Sequence, residues 1–145
     1  MQVRDILTKK SSDVITVKPG HTLEAASKLL AEYNIGALVV VDDVEHPVGI
    51  ISERDVVRAV ARHGEKVFSF KVSDVMTKDL IIALMTDDLS YVTNTMTNKR
   101  IRHLPVMDGD KLVGIVSIGD AVKAQLEYFE GEAHTLRQYI SGGYQ

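Results

Sequence analysis

Two stretches of the chain place a glycine, a serine and an aspartate at the same spacing: Gly49, Ser52 and Asp55, and again Gly114, Ser117 and Asp120. Each Gly-x-x-Ser-x-x-Asp closes a β-branched run and opens a stretch of helical periodicity, so each sits where a strand passes into a helix. Such a junction presents unpaired backbone N–H groups and the positive end of the helix dipole, which favour an anion. A serine hydroxyl there can meet a phosphate or ribose oxygen. A carboxylate one turn later can accept both hydroxyls of a ribose, through charge-assisted bonds worth roughly 1.5–3 kcal/mol each. The same pattern is also a capping box, with Ser52 capping its helix and Asp55 reaching back. Duplication preserves caps as well as sites, so the spacing alone leaves both readings open.

Lys99, Arg100, Arg102 and His103 form the densest basic cluster. They suit either a helix end that complements its dipole or a clamp on phosphate. Arg54, inside the first motif, is a surface cation or a further phosphate ligand. Nucleic acid is disfavoured, because no aromatic residues interleave with the cations and the net charge is −3. The chain has no cysteine, which excludes a thiol nucleophile and a cysteine-based zinc site. Its five histidines show no metal-binding spacing, and no glycine-rich run followed by lysine marks a P-loop. No nucleophile–base pair or metal set supports an enzyme, and no metal requirement is expected.

These residues need a scaffold, and 145 residues with 45% hydrophobic and 26% charged side chains suffice for one compact unit or two small ones sharing a core. A chain of this size buries close to 70% of its unfolded surface, so no staple is required. The N-terminus lacks a secretory pattern, and the longest apolar run, 37–41, falls far short of the ~20 residues that cross a bilayer. A soluble cytoplasmic protein is expected.

An internal repeat organises the chain. Val3-Arg4-Asp5-Ile6-Leu7-Thr8-Lys9 matches Val72-Ser73-Asp74-Val75-Met76-Thr77-Lys78, an offset of 69 from Val3 to Val72. Asp13-Val14-Ile15 matches Asp79-Leu80-Ile81, and Ile35-Gly36-Ala37 matches Ile101-Arg102-His103, both at 66 (13 to 79, 35 to 101). The two motifs stand 65 apart (49 to 114). The offset changes at Lys10-Ser11-Ser12 and across 42–46, where loops tolerate insertion. The first repeat predicts a strand over 14–17 ended by Pro19-Gly20, then a helix capped by Thr22. Strands over 37–41 and 48–51 follow, then a helix from Ser52 closed by Gly64. The second predicts a strand over 80–84, a helix after Asp87 or Asp88, strands over 103–107 and 112–117, and a long last helix. That last helix carries Val122, Leu126, Phe129, Ala133, Leu136 and Ile140, with Gly131 as a breaker. The helix after Asp88 is rich in threonine and asparagine, so Leu89, Val92 and Met96 must pack it down. The fold class is α+β or α/β: two βαββα repeats packed about a pseudo-twofold axis. Boundaries fall at 1–66 and 67–125, with a C-terminal helix and tail over 126–145. Leu126, Phe129, Leu136 and Tyr139 suit internal or dimer packing, or a docking surface for an effector protein. Gly142-Gly143 suits a flexible tail.

The repeat, its Gly-x-x-Ser-x-x-Asp ending and the run Arg100-Ile101-Arg102-His103-Leu104-Pro105-Val106 together resemble a tandem pair of CBS domains, from about Val3 to about Ala124. The resemblance implies a non-catalytic regulatory module binding an adenosine nucleotide between its repeats. AMP is the first expectation, with ADP, ATP, NAD or S-adenosylmethionine as alternatives. It also implies Asp55 and Asp120 on ribose and Ser52 and Ser117 beside ribose or phosphate. Thr16 and Ala37 would line the adenine pockets, His103 being the counterpart of Ala37. Such modules commonly pair into homodimers through their helices. The second repeat reads Ile81-Ile82-Ala83-Leu84-Met85 where the first reads Ile15-Thr16-Val17-Lys18-Pro19, so unequal clefts are expected. The competing reading is an interaction or dimerisation scaffold with empty clefts, acting through its C-terminal helix.

Overall fold

The computed structural model describes residues 1–7 and 14–141. The first offset change, at Lys10-Ser11-Ser12, and the Gly142-Gly143 tail lie outside the described residues. In chain order the elements are α1 (Val3–Leu7), β1 (Thr16–Val17), α2 (Leu23–Glu32), β2 (Ala37–Val41), β3 (Pro47–Ser52) and α3 (Glu53–His63). A 3-10 helix (Gly64–Ser69) leads to α4 (Val72–Val75), β4 (Ala83–Leu84), α5 (Leu89–Lys99), β5 (His103–Asp108), β6 (Lys111–Ser117) and α6 (Ile118–Ser141). Two three-stranded sheets of like order result, β1-β2-β3 and β4-β5-β6, each with one parallel and one antiparallel pairing.

β2 is buried along its whole length, and on one face its Leu38 and Val40 pack with α2 and α3 in the first repeat's core. Thr22 caps α2 through a bond from Ala25 N–H at 3.1 Å, and Gly64 ends α3 at φ 71°. In the 42–46 turn, Asp42 Oδ1 accepts from the N–H groups of Val44 and His46. α5 is held by buried Leu89, Val92 and Met96, as its weak propensity requires.

Two features depart from the sequence reading. The first strand of each repeat is two residues long rather than four or five, because only Thr16–Val17 and Ala83–Leu84 find parallel partners on β2 and β5. Residues 80–82 leave the sheet, Leu80 N–H turning back onto Lys78 O at 2.9 Å. Gly131 does not break α6, which continues to Ser141. A Cβ at Gly131 would meet nothing within 4 Å, so Gly131→Ala is expected to raise stability by about 0.5–1 kcal/mol, read as a higher unfolding temperature.

α1 and α4 each pack away from their own repeat. Val3 and Ile6 of α1 are buried with Leu89, Leu104, Val116 and Ala121 in the second repeat's core. Val72 of α4 and Val67 are buried with Leu23, Leu38 and Ile51 in the first. Matching backbone bonds fasten each exchange. Leu23 N–H donates to Phe70 O and Val72 N–H to His21 O; Leu89 N–H donates to Met1 O and Val3 N–H to Asp87 O. Each repeat's leading helix therefore completes its sister, across the sequence boundary at 66 and 67.

Candidate functional site

The two Ser-x-x-Asp motifs fold alike. Ser52 N–H donates to Asp55 Oδ2 at 2.9 Å, the Ser52 hydroxyl donates to the same oxygen at 3.0 Å, and Asp55 N–H donates to Ser52 Oγ at 3.2 Å. Ser117 N–H donates to Asp120 Oδ2 at 2.8 Å, and Asp120 N–H donates to Ser117 Oγ at 3.1 Å. Both aspartates thus cap their helices. Capping and binding are compatible at Asp55, because the cap uses Oδ2 alone and Oδ1 carries no hydrogen bond among the described residues.

Asp55 opens onto a cleft of about 550 Å³ between the repeats. The first repeat supplies Gly36, Ser52, Glu53, Arg54, Asp55 and Arg58. The second supplies Thr77, Asp79, Leu80 and Ile81, and then Arg100, Arg102 and His103. α3 directs its first turn here because β3 ends at Ser52. The second repeat's shortened first strand frees Leu80 and Ile81 to form an apolar wall opposite. His103 packs against Gly36 closely enough that a Cβ there would lie 3.0 Å from its Nε2.

The electrostatics of this cleft are uneven. Arg54, Arg58, Arg100 and Arg102 line it, and none of these four guanidinium groups has a carboxylate partner among the described residues. Glu53, Asp55 and Asp79 share the lining, with Asp55 already engaged in its cap. Arg100 ends α5 in the left-handed region at φ 55°. That conformation suits glycine or asparagine. Its counterpart at the end of α2, Asn34, adopts it at φ 51°. An arginine held in this conformation at a cleft wall is a local cost beside a concentration of positive charge.

The cleft thus brings together Ser52, Arg54, Asp55, Arg100, Arg102 and His103. Thr16 lies elsewhere, in a groove of about 940 Å³ shared with Val14, Glu45, Asp108 and Lys111. Ala37 is buried at 4% exposure, and its neighbour Gly36 reaches the cleft instead. Ser117 and Asp120 stand at the other strand–helix junction, away from the Asp55 cleft. Arg58 was overlooked by the sequence reading, although its position one turn after Arg54 marks the same helix face. No group of three His, Asp or Glu side chains among the described residues is placed to hold a metal ion. No helix among them is long and apolar enough to cross a membrane.

Comparison with known proteins gives a consistent picture. The sequence profile of the CBS domain matches twice, at residues 3–62 and 72–127. Over 127 residues the chain is 39% identical to the CBS domain-containing protein CBSX3, mitochondrial, of Arabidopsis thaliana, covering 85% of this chain and 62% of that one. A CBS-domain containing protein from Agrobacterium tumefaciens superposes with a TM-score of 0.82 at 40% identity, over 86% of this chain and 92% of that one. A CBS domain pair solved in complex with 5′-methylthioadenosine and S-adenosyl-L-methionine superposes with a TM-score of 0.77 at 28% identity, over 91% of this chain and 98% of that one.

Proposed function

The chain belongs to the CBS-domain family, and from that premise we propose that it is a non-catalytic regulatory module of the cytoplasm that binds an adenosine nucleotide in the cleft beside Asp55. The observation that carries the reading is the convergence of unlike groups on one cavity. A half-engaged carboxylate stands at a helix start, four arginines without carboxylate partners among the described residues surround it, and Leu80 and Ile81 form an apolar wall. Ribose hydroxyls suit Oδ1 of Asp55, a planar base suits the apolar wall, and phosphate suits the guanidinium groups, which grip oxyanions in bidentate fashion. The solved relative with S-adenosyl-L-methionine and 5′-methylthioadenosine supports an adenosine-bearing ligand. Because the cleft is built from both repeats, a ligand seated there changes their relative placement to the extent that it binds two arrangements unequally.

Titration calorimetry of the purified chain with AMP, ADP, ATP, NAD and S-adenosylmethionine tests the reading. Saturable binding of at least one is expected; no heat and no thermal shift with any of them would remove the proposal.

Arg100 offers a sharper check, because fold and ligand ask opposite things of it. Arg100→Asn is expected to stabilise the free protein by up to about 1 kcal/mol, by placing a left-handed-tolerant residue at φ 55°. The same change is expected to weaken phosphorylated ligands several-fold while leaving adenosine unaffected. Parallel melts and titrations read both effects, and a fall in both stability and affinity would contradict this role.

A further inference from the structure

We propose, building on the reading of the Asp55 cleft as an adenosine site, that a second cavity beside it receives the carboxamide-bearing far base of an adenosine dinucleotide. This cavity lies between α3 and residues 70–75 and measures about 330 Å³. It shares Asp55 and Arg58 with the cleft, so the two spaces meet along one face of α3. Arg54, Arg58 and Arg62 recur at every fourth residue and follow that face from the cleft into the second cavity. Arg62 stands about 10 Å along the helix axis from Asp55, at 1.5 Å per residue. A ligand that reaches both must be longer than a mononucleotide. Arg58, where the cavities join, is placed to hold the phosphates that link two nucleosides.

The lining selects a base over a further phosphate. Asp74 stands in it, and a phosphate there would meet a like charge. Oδ2 of Asp74 accepts from Lys71 N–H at 3.1 Å, and Oδ1 carries no hydrogen bond among the described residues. Ala59, Phe70 and Val75 give the cavity an apolar side against which a planar ring can lie. His63 braces the Phe70 ring, with centroids 5.3 Å apart. Arg62 and Asp74 supply a donor and an acceptor on different elements, and they form no ion pair with each other. A carboxamide suits that pair, because it turns about its bond to the ring until its NH₂ donates to Asp74 and its oxygen accepts from Arg62. An adenine edge holds its donor and acceptor side by side and cannot spread to fit them.

Calorimetric titration of the full chain weighs the far base alone. NAD is expected to bind at least about ten-fold tighter than ADP-ribose, which keeps adenosine, both phosphates and the far ribose but lacks the base. Nicotinic acid adenine dinucleotide, with a carboxylate in place of the amide, is expected to lose that gain through repulsion by Asp74. Asp74→Asn keeps an acceptor for Lys71 N–H, so its melting temperature and its affinity for ADP-ribose are expected to match the parent's. In that variant the preference for amide over acid is expected to shrink to within about three-fold. In the parent, ADP-ribose binding as tightly as NAD, the acid form binding as tightly as NAD, or diadenosine diphosphate binding tighter than NAD would each overturn the second cavity's role and leave the adenosine site standing. Failure of both ADP-ribose and NAD to bind would remove the two together.

Discussion

Asp55→Asn is expected to weaken binding of the adenosine ligand ten-fold to about a hundred-fold while leaving the fold almost intact. The separation follows from the two oxygens. The cap at Ser52 needs one acceptor, and the amide oxygen of asparagine supplies it, so α3 keeps its first turn. A ribose diol needs the second oxygen, and an anionic one; the amide NH₂ offers a donor where the carboxylate offered an acceptor. Losing a charge-assisted bond costs about 1.5–3 kcal/mol, which converts to that range of affinity. Calorimetric titration measures the change, and a thermal melt guards against a folding defect. An unaltered dissociation constant accompanied by a lower melting temperature would leave Asp55 as a helix cap and nothing more. Asp120→Asn, at the equivalent junction outside this cleft, serves as the paired control.

Gly49→Ala is expected to destabilise the protein by about 1–3 kcal/mol, read as a lower midpoint of urea unfolding. A Cβ at Gly49 would lie 2.5 Å from Met76 Sδ and 3.1 Å from Thr77 O. The sulfur can swing away; the carbonyl cannot, because Thr77 and Ile50 exchange backbone bonds at 2.9 and 3.0 Å. The added methyl must therefore push α4's exit off β3, and with it Thr77 and the cleft wall that follows. Gly114→Ala meets only the flexible side chain of Leu7, at 2.8 Å, and is expected to cost less. Equal midpoints for parent and Gly49→Ala would refute the close approach. The glycine of the first motif is thus explained by backbone packing, whereas its Asp55 lines the cleft.

The duplication was readable because its signals are local. Thr22 and Ser52 announce helix starts by side-chain chemistry, Gly64 announces a helix end, and an unbroken apolar run announces β2. The lengths of β1 and β4 were not readable, since a parallel strand is set by how much of it a distant neighbour accepts. Val3–Leu7 and Val72–Val75 are too short to show a helical period, and nothing in them states that each would serve the opposite core. The resemblance puts the ligand between the repeats and assigns Thr16 and Ala37 to adenine pockets, whereas in the folded chain the cleft beside Asp55 is completed by Thr77, Asp79, Leu80, Ile81, Arg100, Arg102 and His103 of the second repeat. Lys99, Arg100 and Arg102 were visible as a cluster, yet only the fold shows Arg100 and Arg102 sharing a wall with Arg54 and Arg58.

The exchange of leading helices also fixes an order of events on the ribosome. The first core can close once α4 has emerged. Val3 and Ile6, made before it, have no burial site until β6 and Ala121 follow. That segment therefore waits with two apolar side chains exposed, and a chain arrested after the first repeat would carry them unsheltered, a target for chaperones and proteases.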